Sequence, residues 1–198
     1  MAVITNSTSN TLVSGTSSAD SIINSSGVLG VTVDSGAGND TIIGGNIINA
    51  GDGDNYANIQ GVRGSVVKTG SGNDYIIGGN TVNPGKGNDT ILVGEENGDD
   101  SWHDDTTILY ADGDGNDVVY GYMSNDTLRI DGSYETVESG EDVIITVGDG
   151  SITLKDAAGF ALNIIDNSST QADSLSSGIE YNPKKPSTIR LWPMRSPL

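Results

Sequence analysis

One five-residue turn recurs along this chain and limits what the rest of it can become. Gly36-Ala37-Gly38-Asn39-Asp40 returns as Gly70-Ser71-Gly72-Asn73-Asp74, as Gly85-Lys86-Gly87-Asn88-Asp89 and as Gly113-Asp114-Gly115-Asn116-Asp117. A variant, Gly51-Asp52-Gly53-Asp54-Asn55, and a degraded copy that keeps Gly15 and Asp20 complete the series. The final positions fall at 20, 40, 55, 74, 89 and 117, in steps of 20, 15, 19, 15 and 28 residues. Each turn leads into a short β-branched run: Ser21-Ile22-Ile23, Thr41-Ile42-Ile43, Tyr75-Ile76-Ile77 and Thr90-Ile91-Leu92-Val93. A second turn follows, such as Gly44-Gly45-Asn46 or Gly78-Gly79-Asn80, and then a second strand, such as Val31-Thr32-Val33, Ile47-Ile48-Asn49, Ser65-Val66-Val67 or Thr81-Val82-Asn83. Short β-rich runs bounded by Gly and Asn, repeating at a near-constant period, are the pattern of a solenoid in which each step is one coil.

The fold expected is therefore all-β: a right-handed parallel β-roll or β-solenoid of about five to six rungs, with a C-terminal antiparallel β cap. Residues 1–14 read as a lead-in, 15–117 as the roll, 118–160 as the capping unit, and 161–198 as a polar stretch followed by a Pro-rich basic tail. Equivalent positions in successive coils should lie roughly 4.8 Å apart, so one acidic turn sits over the next. Only one of the two turn columns carries the Gly-x-Gly-Asn-Asp signature, which confines its chemistry to one edge.

Charge narrows the partner. The chain holds 27 acids and 9 bases, a formal charge of −18. A nucleic-acid reader needs a basic face, so that class is disfavoured. Excess acid points to cations or to a solvated, disordered chain, and the dense Ile and Val triplets argue against disorder. There is no Cys, which excludes disulfide staples and zinc–thiolate sites. Residues 1–20 contain no apolar signal-peptide core, and no apolar run approaches the ~20 residues of a membrane helix. Residues 179–198 hold four of the five prolines and four of the nine bases, so they read as an extended end or as sequence foreign to the fold.

The turn chemistry suits calcium. Ca²⁺ wants six to eight oxygens at ~2.3–2.6 Å. Glycine permits the positive φ that aims carbonyls inward, and the terminal Asp adds charge. One turn offers too few oxygens; two stacked turns can complete a site. Without a cation the Asp column would repel itself, so folding and ion loading should be coupled. The alternative is a set of ordinary Asp-Gly turns with solvated carboxylates. The six-residue turns Ser35 to Asp40, Thr69 to Asp74, Pro84 to Asp89 and Asp112 to Asp117, with Ala50 to Asn55 as a weaker copy, resemble the RTX nonapeptide repeat of hemolysin-type calcium-binding proteins. The likeness covers roughly residues 15–156, and Tyr110 through Tyr122 to Leu128 is similar to the end of such arrays, where the last repeat meets a capping unit.

What this resemblance implies is a calcium-binding module of a secreted bacterial protein, exported by type I secretion and folded by extracellular calcium. Several ions would be held by Ser35, Gly36, Ala37, Gly38 and Asp40; by Ala50, Gly51, Gly53 and Asn55; by Thr69, Gly70, Ser71, Gly72 and Asp74; by Pro84, Gly85, Lys86, Gly87 and Asp89; by Asp112, Gly113, Asp114, Gly115 and Asp117; and by Asp20. The chain departs from the family in carrying the repeat on one edge only, and its tail is unlike a C-terminal type I secretion signal.

One non-repetitive feature remains. The insert Gly94 to Asp105 contains Trp102, the lone His103 and Asp104 among six acids. Trp102 could stack on a sugar, and paired carboxylates could hydrolyse a glycosidic bond, so the competing expectation is a secreted polysaccharide-acting enzyme or glycan-binding module. Charge runs are ordinarily solvated loops. Tyr56, Tyr75, Tyr110, Tyr120 and Tyr122 are either a sugar-binding stripe or, the simpler expectation, packing beside the strands and the cap.

Overall fold

The computed structural model describes residues 1–94 and 105–167. The strands, numbered in chain order, alternate between two sheets. The first sheet takes β1 (Val3–Asn6), β3 (Ser21–Asn24), β5 (Thr41–Ile43), β7 (Tyr56–Asn58), β9 (Tyr75–Ile77), β11 (Thr90–Leu92), β13 (Asn116–Tyr120), β15 (Tyr134–Ser139), β16 (Asp142–Val147) and β17 (Gly150–Leu154). The second takes β2 (Leu12–Thr16), β4 (Thr32–Gly36), β6 (Ile47–Asn49), β8 (Val66–Lys68), β10 (Thr81–Asn83), β12 (Thr107–Ala111), β14 (Thr127–Asp131) and β18 (Ile164–Asp166). In the first sheet the order is β1-β3-β5-β7-β9-β11-β13-β17-β16-β15, and in the second β18-β14-β12-β10-β8-β6-β4-β2. All pairs are parallel except β15–β16 and β16–β17. This is a parallel β-solenoid with two strands to a coil.

The triplets form strands because one side chain in each must be dry. Alternation along a strand sends the middle residue inward and its neighbours out. In the first sheet Ile22, Ile42, Ala57, Ile76, Ile91, Val119 and Leu154 lie in register, each fully buried. Facing them are Val13, Val33, Ile48, Val67, Val82, Ile108 and Leu128. Each coil therefore contributes about two aliphatic side chains, worth roughly 1.5–3 kcal/mol apiece on full burial. A core this thin leaves much of the specification to the turns.

The stack runs beyond the repeat at both ends. β1 precedes the first turn and pairs in register with β3. Past Asp117, β14 continues the second sheet in parallel, and the chain then makes the antiparallel run β15–β16–β17. β17 returns parallel to β13, and β18 lies against β14. Val143, Ile145 and Val147 of β16 are buried with Ile152 and Leu154, so the antiparallel unit covers core at the C-terminal end, as a solenoid end requires. Residues 161–167 include β18; the rest of the polar stretch and the basic tail lie outside the described residues. Among the described residues no helix is long and apolar enough to cross a membrane.

Candidate metal centre

The acidic turns stack directly on one another. Ala37 bridges Asp52, Ser71 bridges Lys86, and Gly87 bridges Gly115, all in parallel. The amides of Gly38, Gly53, Gly72 and Gly87 donate to the carbonyls of Asp52, Ser71, Lys86 and Asp114 at 2.7–2.8 Å. Contact is so close that only glycine fits: at Gly87, where φ is 144°, a Cβ would sit 1.8 Å from the carbonyl oxygen of Gly72.

Inside this edge the last residues of the turns form a ladder. The backbone N–H of Asp20 donates to Oδ1 of Asp40 at 2.8 Å, that of Asp40 to Oδ1 of Asn55 at 3.0 Å, and that of Asn55 to Oδ1 of Asp74 at 2.7 Å. It continues from Asp74 to Asp89 at 2.8 Å and from Asp89 to Asp117 at 2.9 Å. The steps read in the sequence are the spans of these bonds. These are not solvated carboxylates, since each rung residue is at most 3 % exposed.

One oxygen of each carboxylate is thus used. The other, Oδ2 of Asp40, Asp74, Asp89 and Asp117, is buried and accepts no hydrogen bond; the only other such side-chain atom among the described residues is Oγ of Ser65. A buried acceptor without a donor costs about 1–3 kcal/mol, more when charged. Burial accordingly drives the Asp89 carboxyl up to about 7 and that of Asp117 up to about 8, with neighbouring acids adding to both shifts. Asp40 and Asp74 move up for the same first reason, opposed by the Ser35 hydroxyl and the Asp20 N–H beside Asp40 and by the Asn55 N–H, the Thr69 hydroxyl and the Asn55 carboxamide beside Asp74. Those side chains already donate to the carbonyls of Ala50, Pro84, Gly51 and Gly53, so neither Oδ2 has a donor of its own. Such an oxygen is satisfied by a proton, a buried water or a cation. No three His, Cys, Asp or Glu side chains among the described residues converge on one point, so a cation here would draw on one or two carboxylates and on backbone carbonyls.

Two predicted ligands behave differently. Asp20 is buried, but its Oδ1 accepts from the N–H of Ala2 at 2.6 Å, and its Oδ2 from the N–H and hydroxyl of Thr16 at 2.6 and 2.8 Å. These donors, Ala2 first, hold its carboxyl below the usual range. Asn55 takes the Asp40 N–H on Oδ1 and donates through Nδ2 to the carbonyls of Gly53 at 2.8 Å and Gly51 at 3.3 Å. In neither is a side-chain oxygen left without a donor.

The remaining predicted residues divide. The Ser35 hydroxyl donates to the Ala50 carbonyl at 2.8 Å and that of Thr69 to the Pro84 carbonyl at 2.7 Å, both in the interior. Asp112 is exposed. Oδ2 of Asp114 accepts the N–H of Ala111 at 2.7 Å. The Gly115 carbonyl already takes the Tyr110 hydroxyl and the N–H of Ser151, so the last turn differs from those before it.

Sequence reasoning overlooked the residue before each Asp. Asn39, Asp54, Asn73, Asn88 and Asn116 form an outer, exposed ladder of opposite sense. The N–H of Asp54 donates back to Asn39, Asn73 to Asp54, Asn88 to Asn73 and Asn116 to Asn88, at 2.7–3.1 Å. The Asn-Asp pair in the repeat is thus a two-way zipper, and its recurrence was the available signal.

Among the described residues the second edge has no carboxylate oxygen left without a donor. Asn24 accepts from Asn6 Nδ2 at 3.1 Å and donates to the carbonyl of Gly44 at 2.9 Å. Oδ1 of Asn46 accepts the N–H of Val31 at 3.2 Å, and Oδ1 of Asn80 those of Gly64 and Ser65. Asp126 there has both oxygens engaged, by the N–H groups of Thr106 and Met123, each at 2.8 Å. Tyr110 and Tyr122 are buried. Tyr56 and Tyr75 stack with ring centroids 5.8 Å apart on the outer face of the first sheet, and Tyr120 is half-buried. The insert residues Trp102, His103 and Asp104 lie outside the described residues.

Fold and edge together define a parallel β-solenoid with one row of buried, partly unsatisfied carboxylates. No protein-family model matches the chain, and no curated protein is recognisably similar to it.

Proposed function

We propose that this chain is a calcium-binding β-roll module of the RTX type, stabilised when cations load its acidic edge. The observation that carries the reading is the row of donorless buried oxygens on Asp40, Asp74, Asp89 and Asp117. The residues fit a hard cation: anionic oxygens, glycine turns rich in carbonyls, and no soft ligand. Bound calcium would supply positive charge where these oxygens have no donor. Its free energy of binding to the folded state would add to the stability of a core too thin to dominate. Placement in a secreted bacterial protein, folded by extracellular calcium after type I export, follows from the resemblance of the repeats. No described residue has an evident catalytic task.

The test is a calcium titration of the full chain followed by circular dichroism, with EGTA reversal and a magnesium control. Cooperative, reversible gain of β signal with calcium alone is expected. A chain equally folded in EGTA and indifferent to calcium would sink the reading.

A further inference from the structure

The acidic edge is interrupted at Asn55. Its turn, Gly51-Asp52-Gly53-Asp54-Asn55, aligns with its neighbours glycine for glycine, and its side chain occupies the same rung, 3 % exposed. The difference lies in what the second side-chain atom does. In Asp40, Asp74, Asp89 and Asp117 that atom is an oxygen with no donor. In Asn55 it is Nδ2, which donates to the Gly53 carbonyl at 2.8 Å and the Gly51 carbonyl at 3.3 Å. The orientation is fixed chemically. Oδ1 receives the N–H of Asp40 at 3.0 Å; turning the amide over would set NH₂ against N–H and an oxygen against two carbonyls.

We infer that the Asn55 carboxamide stands in for a cation, so that the turn 50–55 takes no ion and divides the row. The inference rests on the cation reading above. An amide N–H group carries partial positive charge to the carbonyls of the turn while its oxygen keeps the ladder bond. Both demands that an Asp-plus-ion pair meets in the other turns are met by one neutral side chain. Asp40 then stands alone between the self-satisfied Asp20 and Asn55, whereas Asp74, Asp89 and Asp117 form an uninterrupted block. Asn55 is a specificity-determining residue by this account: it sets how many ions bind and which coil holds without them.

The experiment is to count calcium bound to the full chain and to Asn55→Asp by native mass spectrometry across a calcium series, with circular dichroism reporting folding of both. Asn55→Asp should bind at least one more ion than the parent, since its turn stacks on a neighbour on either side, and need more calcium to fold. Equal ion counts in the two folded forms would overturn the inference alone. Calcium bound by neither form would overturn it together with the reading it rests on. Should Asn55→Asp not fold at any calcium level, the parent supplies the second readout. In the calcium-loaded, folded parent the ¹⁵N-bound side-chain protons of Asn55 should exchange slowly, held by the Gly53 and Gly51 carbonyls; fast exchange of those protons in the loaded, folded chain would overturn the inference.

Discussion

Along one edge of the roll Asn24, Asn46 and Asn80 reach neighbouring coils with carboxamides; along the other Asp40, Asp74, Asp89 and Asp117 do so with carboxylates. Asn46 and Asn80, like the carboxylates, accept a backbone N–H across the stack, and Asn24 accepts the Asn6 carboxamide. A carboxamide can also donate, as Asn24 does to Gly44 and Asn55 to Gly53. An ionised carboxylate cannot, and its second oxygen is left buried. The lesson is that stacking a turn does not require an ion, since the coils that carry Asn24, Asn46 and Asn80 close with neutral side chains. Carboxylates make one edge conditional on what the solvent supplies.

The largest break comes from crowding the acidic edge. Gly87→Ala places a Cβ 1.8 Å from the Gly72 carbonyl oxygen at a φ of 144°. No side chain can move aside, so the cost should exceed about 3 kcal/mol, a large share of a 5–15 kcal/mol stability. Calcium should not rescue it, as judged by urea midpoints at saturating ion. On the second edge, Gly61→Ala meets nothing within 4 Å at a φ of 74°. It should lose only the left-handed backbone penalty, about 1–2 kcal/mol.

A change of pH separates the edges next. With calcium removed, the raised carboxyls of Asp89 (about 7) and Asp117 (about 8) stay protonated in the folded chain where the unfolded chain has ionised them. The folded state binds more protons, so stability falls as pH rises. That contribution is complete below the ordinary Asp range near 3.8 and is lost through about pH 7–8. Asp20 and Asp142, both lowered, work oppositely and only in stronger acid. The metal-free chain should therefore hold more β signal, and keep it to higher urea, near pH 5 than near pH 8. Saturating calcium should flatten that dependence. Metal-free midpoints that rise with pH would contradict the assignment.

How much of this was legible depended on whether the signal was chemical or positional. The acidic turns, the inward Ile and Val of most coils and the restriction of the motif to one edge could be read from residue type and spacing. β7 was harder to read, because Tyr56-Ala57-Asn58 lacks a β-branched residue; it is a strand because β5 and β9 on either side impose its register. β1 and β18 were hidden because no glycine turn announces them, and β15 because its face is largely exposed. Within the site, the charge of each Asp drew attention from the Asn before it, whose outer ladder exists only once coils are stacked. The satisfaction of Asp20 depends on Ala2, a neighbour that spacing alone could not supply.

Exchanging the chemistry of the two edges gives the smaller effects. Asp74→Asn should copy Asn55: the amide nitrogen replaces the donorless oxygen, the ion count drops by at least one, and the metal-free chain gains about 1–3 kcal/mol, the cost of a buried unsatisfied acceptor. Loss of stability without calcium would show that the carboxamide cannot close that turn. The converse on the second edge is Asn80→Ala, which strands the N–H groups of Gly64 and Ser65. One of these lies at an exposed residue and the other at a buried one, so water can recover only the first. The expected cost is about 1–2 kcal/mol. Because no ion is placed on that edge, the cost should be the same in EGTA and in saturating calcium. A calcium-dependent Asn80→Ala penalty would mean that the two edges share one ion-linked equilibrium. An equal penalty would show that the ion's influence ends at the thin aliphatic core between them.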